Sequence, residues 1–371
     1  MDADSLTYRI AFASYRSMTL GLARRFGGLG VTPEAFFTRE ARELAALTGV
    51  RAEYFGDRRR QETLGRAVQE AAFVRGNGIS ALFHTDAAYP ARLLECDDAP
   101  AMLYFTGPAE AAAARHSVAI VGTRHCTHYG ADFTQRLVAD LASGLDSLLI
   151  VSGLAYGIDI CAHRAALGCG VPTGAVVAHG LNTVYPSEHR QDARTMIRQG
   201  GFITTEYPSW TSIHRGNFLA RNRIVAALAD VTVIVESDLR GGAMATARIA
   251  GAYNREVMAL PGRVNDTYSR GCNELIVSRQ ASMIRHAADL TDLMGWSMKA
   301  APGTQQELSF DVPDEYRPVL DALRASPDMT ANDLCVALGL PYAEVSALLF
   351  RMELDDFITA LPGNRYGLPS K

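Results

Sequence analysis

From residue 117 onward the chain repeats one unit: a short unbroken apolar run, a turn, then a segment with apolar residues every three or four positions. The runs cover residues 118–121, 148–151, 174–178, 202–205, 231–235 and 256–260. They are rich in β-branched residues and do not alternate with polar ones, the pattern of strands buried on both faces of a parallel sheet. Helical segments follow most of them, so right-handed strand–helix–strand units predict a doubly wound, mostly parallel α/β sheet of the Rossmann-like kind. Ligands of such sheets sit outside the carboxyl ends of the strands, where Gly122, Gly153, Gly180, Glu206 and Glu236 fall.

The flanks read differently. Residues 1–105 show apolar residues at helical spacing in 41–47 and 61–75, and two short strand-like runs, 79–84 and 101–107, lie on either side of Tyr89-Pro90. Gly27-Gly28-Leu29-Gly30 interrupts one helix before Thr32-Pro33-Glu34, a cap followed by proline at the first helical position. The glycine stretch is a tight helical connection or, less economically, a hairpin that grips a DNA backbone. Residues 297–311 are polar and contain Pro302-Gly303, a linker composition. Beyond them, 316–325, 330–338 and 342–354 are amphipathic, and 357–367 reads as a hairpin turning at Pro362-Gly363-Asn364. Three helices and a hairpin describe a winged helix. The expected division is therefore a helical domain (1–105), an α/β domain (106–296), a linker (297–311) and a winged helix (312–371).

Composition narrows the function. With 48% hydrophobic and 20% charged residues, the 371-residue chain belongs to the ordinary globular class. A net charge of -4 excludes coating a polyanion by bulk charge, so any nucleic-acid site must be a local basic patch. The six cysteines, Cys96, Cys126, Cys161, Cys169, Cys272 and Cys335, contain no C-x-x-C pair, which fits reduced thiols in a cytosol better than a zinc ribbon or a disulfide framework. No signal peptide is expected at Met1-Asp2-Ala3-Asp4, and no apolar stretch approaches the ~20 residues a membrane span needs. The sequence thus predicts a cytoplasmic protein without membrane contact, metal or cofactor.

Four places carry candidate chemistry. Gly122-Thr123-Arg124 closes the first strand but lacks the G-x-G-x-x-G of a dinucleotide site, so an NAD reading fails. Thr123 and Arg124 can donate to phosphate, or belong to an ordinary strand–helix turn. Asp159 and His163 lie four apart after Gly157, and their spacing favours a structural hydrogen bond over catalysis or metal binding. Residues 215–223 read as an arginine-rich loop: Arg215, Arg221 and Arg223 offer phosphate contacts, Phe218 offers a base-stacking face, and Asn222 is a contact or a helix cap. Gly241-Gly242 permits close backbone approach at a helix start, and Glu236, which would repel phosphate, is expected to orient neighbouring arginines.

These residues together resemble the DprA/Smf family of DNA-processing proteins. The matching pieces run in family order: Gly122-Thr123-Arg124 with Tyr129-Gly130; Ser152-Gly153 and Gly157-Ile158-Asp159 with Ala162-His163; Tyr185-Pro186; Glu206-Tyr207-Pro208; Arg221-Asn222-Arg223; Glu236 with Gly241-Gly242 and Thr246; Pro261-Gly262; and Gly271-Cys272-Asn273 through Ile276. The resemblance implies a SAM-like helical N-terminal module, a Rossmann-like centre and a C-terminal winged helix. It also implies binding of single-stranded DNA without catalysis, loading of RecA as in natural transformation, and a homodimer formed through the Rossmann-like domain. By position, Gly122, Thr123, Arg124, Gly153, Arg215, Phe218, Arg221 and Arg223 are the expected DNA-contacting set. The chain departs from the family pattern at Ala178-His179-Gly180-Leu181-Asn182, where Gly-x-Gly-Leu-Asp is usual. It also lacks the proline expected between Phe218 and Arg221. A rival reading, a phosphoribohydrolase of related fold, needs a Pro-Gly-Gly-x-Gly-Thr-x-x-Glu stretch that residues 239–246 do not provide.

Overall fold

The computed structural model describes residues 4–16, 18–299, 313–326, 328–355, 357–361 and 364–368. Most of the expected linker, residues 300–311, and Pro362 and Gly363 of the expected hairpin turn lie outside the described residues. The chain divides into two units, Met1–Ala300 and Ala301–Lys371.

Five helices open the first unit: α1 (Ser5–Ser14), α2 (Leu20–Gly28), α3 (Pro33–Thr38), α4 (Ala41–Thr48) and α5 (Asp57–Gly76). The cap expected at Thr32 forms, its hydroxyl accepting from the Ala35 amide at 3.1 Å with Pro33 at the helix start. The glycine stretch before it makes the tight connection, with Gly30 at a φ of 74°.

A nine-stranded sheet follows: β1 (Ser80–Phe83), β2 (Met102–Thr106), β3 (His116–Gly122), β4 (Leu148–Ser152), β5 (Thr173–Val176), β6 (Phe202–Thr205), β7 (Val231–Val235), β8 (Glu256–Ala259) and β9 (Ser282–Met283). The strand order is β1-β2-β6-β5-β4-β3-β7-β8-β9. From β6 to β9 every pairing is parallel, while β1 pairs with β2 and β2 with β6 antiparallel. The sheet therefore starts upstream of residue 106: the two strand-like runs of the N-terminal region are its antiparallel edge. Along β3, Val118 and Ile120 join one apolar cluster and Ala119 and Val121 another, which is why the strands carry no polar alternation. On β2, Leu103 and Phe105 face the sheet's own core. Met102 and Tyr104 face the N-terminal helices and pack with Phe12, Phe26 and Phe36.

The connecting helices are α6 (His128–Gly144), α7 (Ile158–Gly168), α8 (Arg190–Arg198), α9 (Arg215–Ala227), α10 (Gly242–Ala252), α11 (Arg270–Val277) and α12 (Ala287–Met294). Residues 215–223, expected as a loop, are instead the first turns of α9. The His214 ring caps it by accepting from the Gly216 amide at 3.1 Å, and Ile224 to Ala227 bury its far end. Sequence direction across the sheet reverses at β3, with β4 on one side and β7 on the other. A crevice opens at such a switch point.

The second unit has the elements of a winged helix: α13 (Arg317–Ala325), β10 (Met329–Thr330), α14 (Ala331–Leu338), α15 (Tyr342–Leu354), β11 (Thr359–Leu361) and β12 (Arg365–Gly367). Its core is its own, built from Tyr316, Val319, Leu334, Val345, Leu349, Met352 and their neighbours. Among the described residues no single helix is long and apolar enough to cross a membrane.

Candidate nucleic-acid interface

A cavity of about 780 Å³ lies at the carboxyl ends of β3, β4 and β7. Seven of the eight residues expected at the site line it: Gly122, Thr123, Arg124, Gly153, Arg215, Phe218 and Arg221. Arg223 does not. Local geometry explains the crowding of glycines here. Gly157 has a φ of 75°, and a Cβ there would fall 2.2 Å from the Thr123 carbonyl oxygen, so α7 starts directly against the β3 turn. At Gly153 a Cβ would fall 2.4 Å from a guanidinium nitrogen of Arg221, which occupies that space.

The arginines divide into three kinds. Arg124 and Arg215 line the cavity, and among the described residues neither has a carboxylate partner. The Arg124 guanidinium lies over the Phe218 ring, 5.6 Å from its centroid, a cation–π contact. Phe218 belongs to no buried cluster; it is half-buried and meets the exposed Tyr185 at a centroid distance of 5.9 Å.

Arg221 is 4% exposed, and one of its terminal nitrogens donates to the Gly153 carbonyl at 2.7 Å and to the Val176 carbonyl. It ties together the ends of β4 and β5 from beneath the cavity. Burial pushes its guanidinium down, and nearby Asp159 opposes that shift. Arg223 is paired with Glu206 at 2.6 Å in a largely buried ion pair. Its guanidinium is thereby committed to a carboxylate.

Three further expectations change. Asp159 and His163 do not bond to each other. Asp159 accepts from the Ala155 amide at 3.3 Å, and burial pushes its carboxyl up. His163 is fully buried with Nδ1 2.7 Å from the Thr173 hydroxyl, and burial pushes its imidazole down to about 3. Glu236 orients no arginine: it accepts from the amide and hydroxyl of Thr127, the N-cap of α6, and packs against Gly130. Asn222 is no cap. It sits inside α9 and donates to the Gly242 carbonyl at 3.4 Å.

Tyr185, Arg240, Arg248 and Tyr268 also line the cavity and were not among the expected site residues. Arg240 stands in a loop at a strand's carboxyl end, a signal the fold rule supplies. Arg248 lies in the second turn of α10, and only that helix's direction brings it here. Among the described residues no three groups of the metal-ligating kind gather.

Fold and site define a Rossmann-like protein with an arginine-lined, aromatic cleft at the switch point of its sheet, joined in sequence to a winged helix. Residues 80–295 match the family model of DNA recombination-mediator protein A, and residues 299–364 match the DprA winged helix domain. The chain belongs to the DprA/Smf family. It is similar to Protein Smf of Escherichia coli, 33% identical over 286 residues that make up 74% of each chain. Among solved structures, DNA processing protein A of Streptococcus pneumoniae matches with a TM-score of 0.64 at 26% identity, covering 79% of this chain and 98% of that one. DNA processing protein A of Helicobacter pylori, whose structure concerns its binding mode for single-stranded DNA, matches with a TM-score of 0.52. Its identity is 34%, covering 58% of this chain and 95% of that one.

Proposed function

We propose that this protein binds single-stranded DNA in the switch-point cavity, protects it and hands it to RecA, performing no chemistry on the strand itself. The observation that carries the reading is the pairing of Arg124 with Phe218 inside a cavity whose arginines, among the described residues, lack carboxylate partners. A guanidinium for phosphate beside a ring for a base is the combination single strands need. Gly122, Thr123, Arg124, Arg215 and Phe218 are the proposed contacts, with Gly153 admitting Arg221 beneath them. Arg221 and Arg223 act by holding strand ends and α9 in place. The likeness to the Helicobacter pylori protein supports the ligand class. The family supports RecA as the recipient and a homodimer through the Rossmann-like region, working in the cytosol.

A hydrolase reading has less to stand on. His163 is fully buried and uncharged at neutral pH, and Asp159 is turned toward backbone amides. Asp159 borders the cavity with its carboxyl engaged by the Ala155 amide, but His163 is enclosed away from it, so the two do not form a base and nucleophile pair facing a substrate.

The test is a salt series of oligonucleotide binding, single-stranded against duplex. Each phosphate contact on a single strand contributes about 0.7 to the slope of log affinity against log salt. Arg124→Ala is expected to weaken binding and lower that slope by about this amount, and a slope equal to that of the unaltered protein would show that Arg124 touches no phosphate.

A further inference from the structure

The cavity has a second cationic wall. Arg240, in the loop after β7, and Arg248, in α10, both line it, both are exposed, and among the described residues neither has a carboxylate partner. The nearby acidic group, Asp238, is engaged by Arg270 at 3.1 Å, so this wall carries net positive charge. Between the two arginines α10 begins without a side-chain cap. Its N-cap is Gly241, and the amides of Gly242 and Ala243 donate to no carbonyl among the described residues. Free amides at a helix start attract anions. From inside, Arg221 lines the same cavity at 4% exposure with its Nε unpartnered.

Helix α9 sets the spacing between the two walls. Phe218 carries Arg124 over its ring, and Asn222, four residues on, touches the Gly242 carbonyl. Four residues of helix advance about 6 Å, a step suited to neighbouring phosphates of one extended strand.

We propose that Arg240, Arg248 and the uncapped start of α10 form a second phosphate subsite. The cavity then grips two neighbouring phosphates, one at Arg124 and Arg215 and the next at Arg240 and Arg248. This rests on the single-strand reading above and narrows its ligand to a phosphodiester with at least two phosphates, excluding a mononucleotide.

The experiment uses the full chain, labelled oligothymidylates and a salt series, with melting temperatures recorded for each variant. Arg240→Ala and Arg248→Ala should each lower the salt slope by about 0.7. Gly242→Asp adds the sharper test. A Cβ at Gly242 meets nothing within 4 Å, and a carboxylate in a helix's first turn favours the helix. That variant should keep its melting temperature and lose affinity by about tenfold or more, while Gly242→Asn retains most of it. In competition, 5′-phosphorylated dithymidylate should displace the probe at a concentration at least about ten times lower than thymidine monophosphate. If Arg240→Ala, Arg248→Ala and Gly242→Asp bind with unchanged affinity and slope while Arg124→Ala lowers both, the second subsite is wrong and the single-strand reading stands. If Arg124→Ala is also without effect, both are wrong.

Discussion

The arginines of this cavity show one side chain used for opposite purposes. Among the described residues Arg124 has no carboxylate partner, and it rests on an aromatic face, leaving its charge available. Arg221 is enclosed, and one of its terminal nitrogens donates to the Gly153 and Val176 carbonyls. Removing a buried cation strands those carbonyls and leaves Asp159 without its opposing charge. Arg221→Met should therefore cost roughly 3–5 kcal/mol of folding stability, read by denaturant titration. Arg124→Ala should stay within about 0.5 kcal/mol. Equal stabilities for the two variants would show that Arg221 is not a structural tie. Residue type made both candidates for phosphate contact, but nothing local separates a free guanidinium from an enclosed one.

Among the elements, α7 carries a buried titratable group that makes stability depend on pH. His163 sits against β5 through Thr173, with Nε2 unpartnered, so protonating it in the folded state is costly. In the unfolded chain it titrates near 6.5, whereas folding pushes it down to about 3. Between these values the unfolded chain holds a proton that the folded chain refuses. Acid therefore favours unfolding, and stability should fall by up to about 1.4 kcal/mol per pH unit below pH 6.5. His163→Gln should flatten that profile in chemical denaturation from pH 7 to 4. Parallel profiles for the two proteins would remove His163 from the account. Helix α9 teaches a different lesson. Arg215-Gly216-Asn217 has loop composition, and a glycine in a helix costs about 1 kcal/mol. The His214 cap and packing of the far end override that local preference.

At the scale of the whole molecule, the two units differ in what they offer a polyanion. Helix α15, the recognition element of a winged helix, exposes Glu344 and Glu353 and ends at the exposed C-cap Asp355, and its one basic residue, Arg351, is paired with Glu315 at 3.3 Å. Phosphates approaching that face meet repulsion. Deleting residues 301–371 is expected to leave single-strand affinity within about threefold at fixed salt, since the arginines proposed to bind phosphate all belong to the first unit. A tenfold loss in the same titration would place a DNA contact in the second. Two strand-like runs in the N-terminal region join the sheet's antiparallel edge, so helices and sheet share one unit. That sharing was hidden because β1 and β2 carry the same apolar signal whether they pair with each other alone or extend a larger sheet.

The sequence by itself determined the doubly wound core, the winged helix and the strand ends where a ligand site had to lie. Unbroken β-branched runs and helical spacing are local properties, and the sheet's geometry follows from them. Only the tertiary structure decided which arginines are free. Arg223 meets Glu206 from 17 residues away and Arg221 meets carbonyls at the ends of β4 and β5, while Arg240 and Arg248 come to the cavity with the loop and helix after β7. A side chain's charge is written in its residue type. Whether that charge remains available depends on long-range partners, and those are set by packing alone.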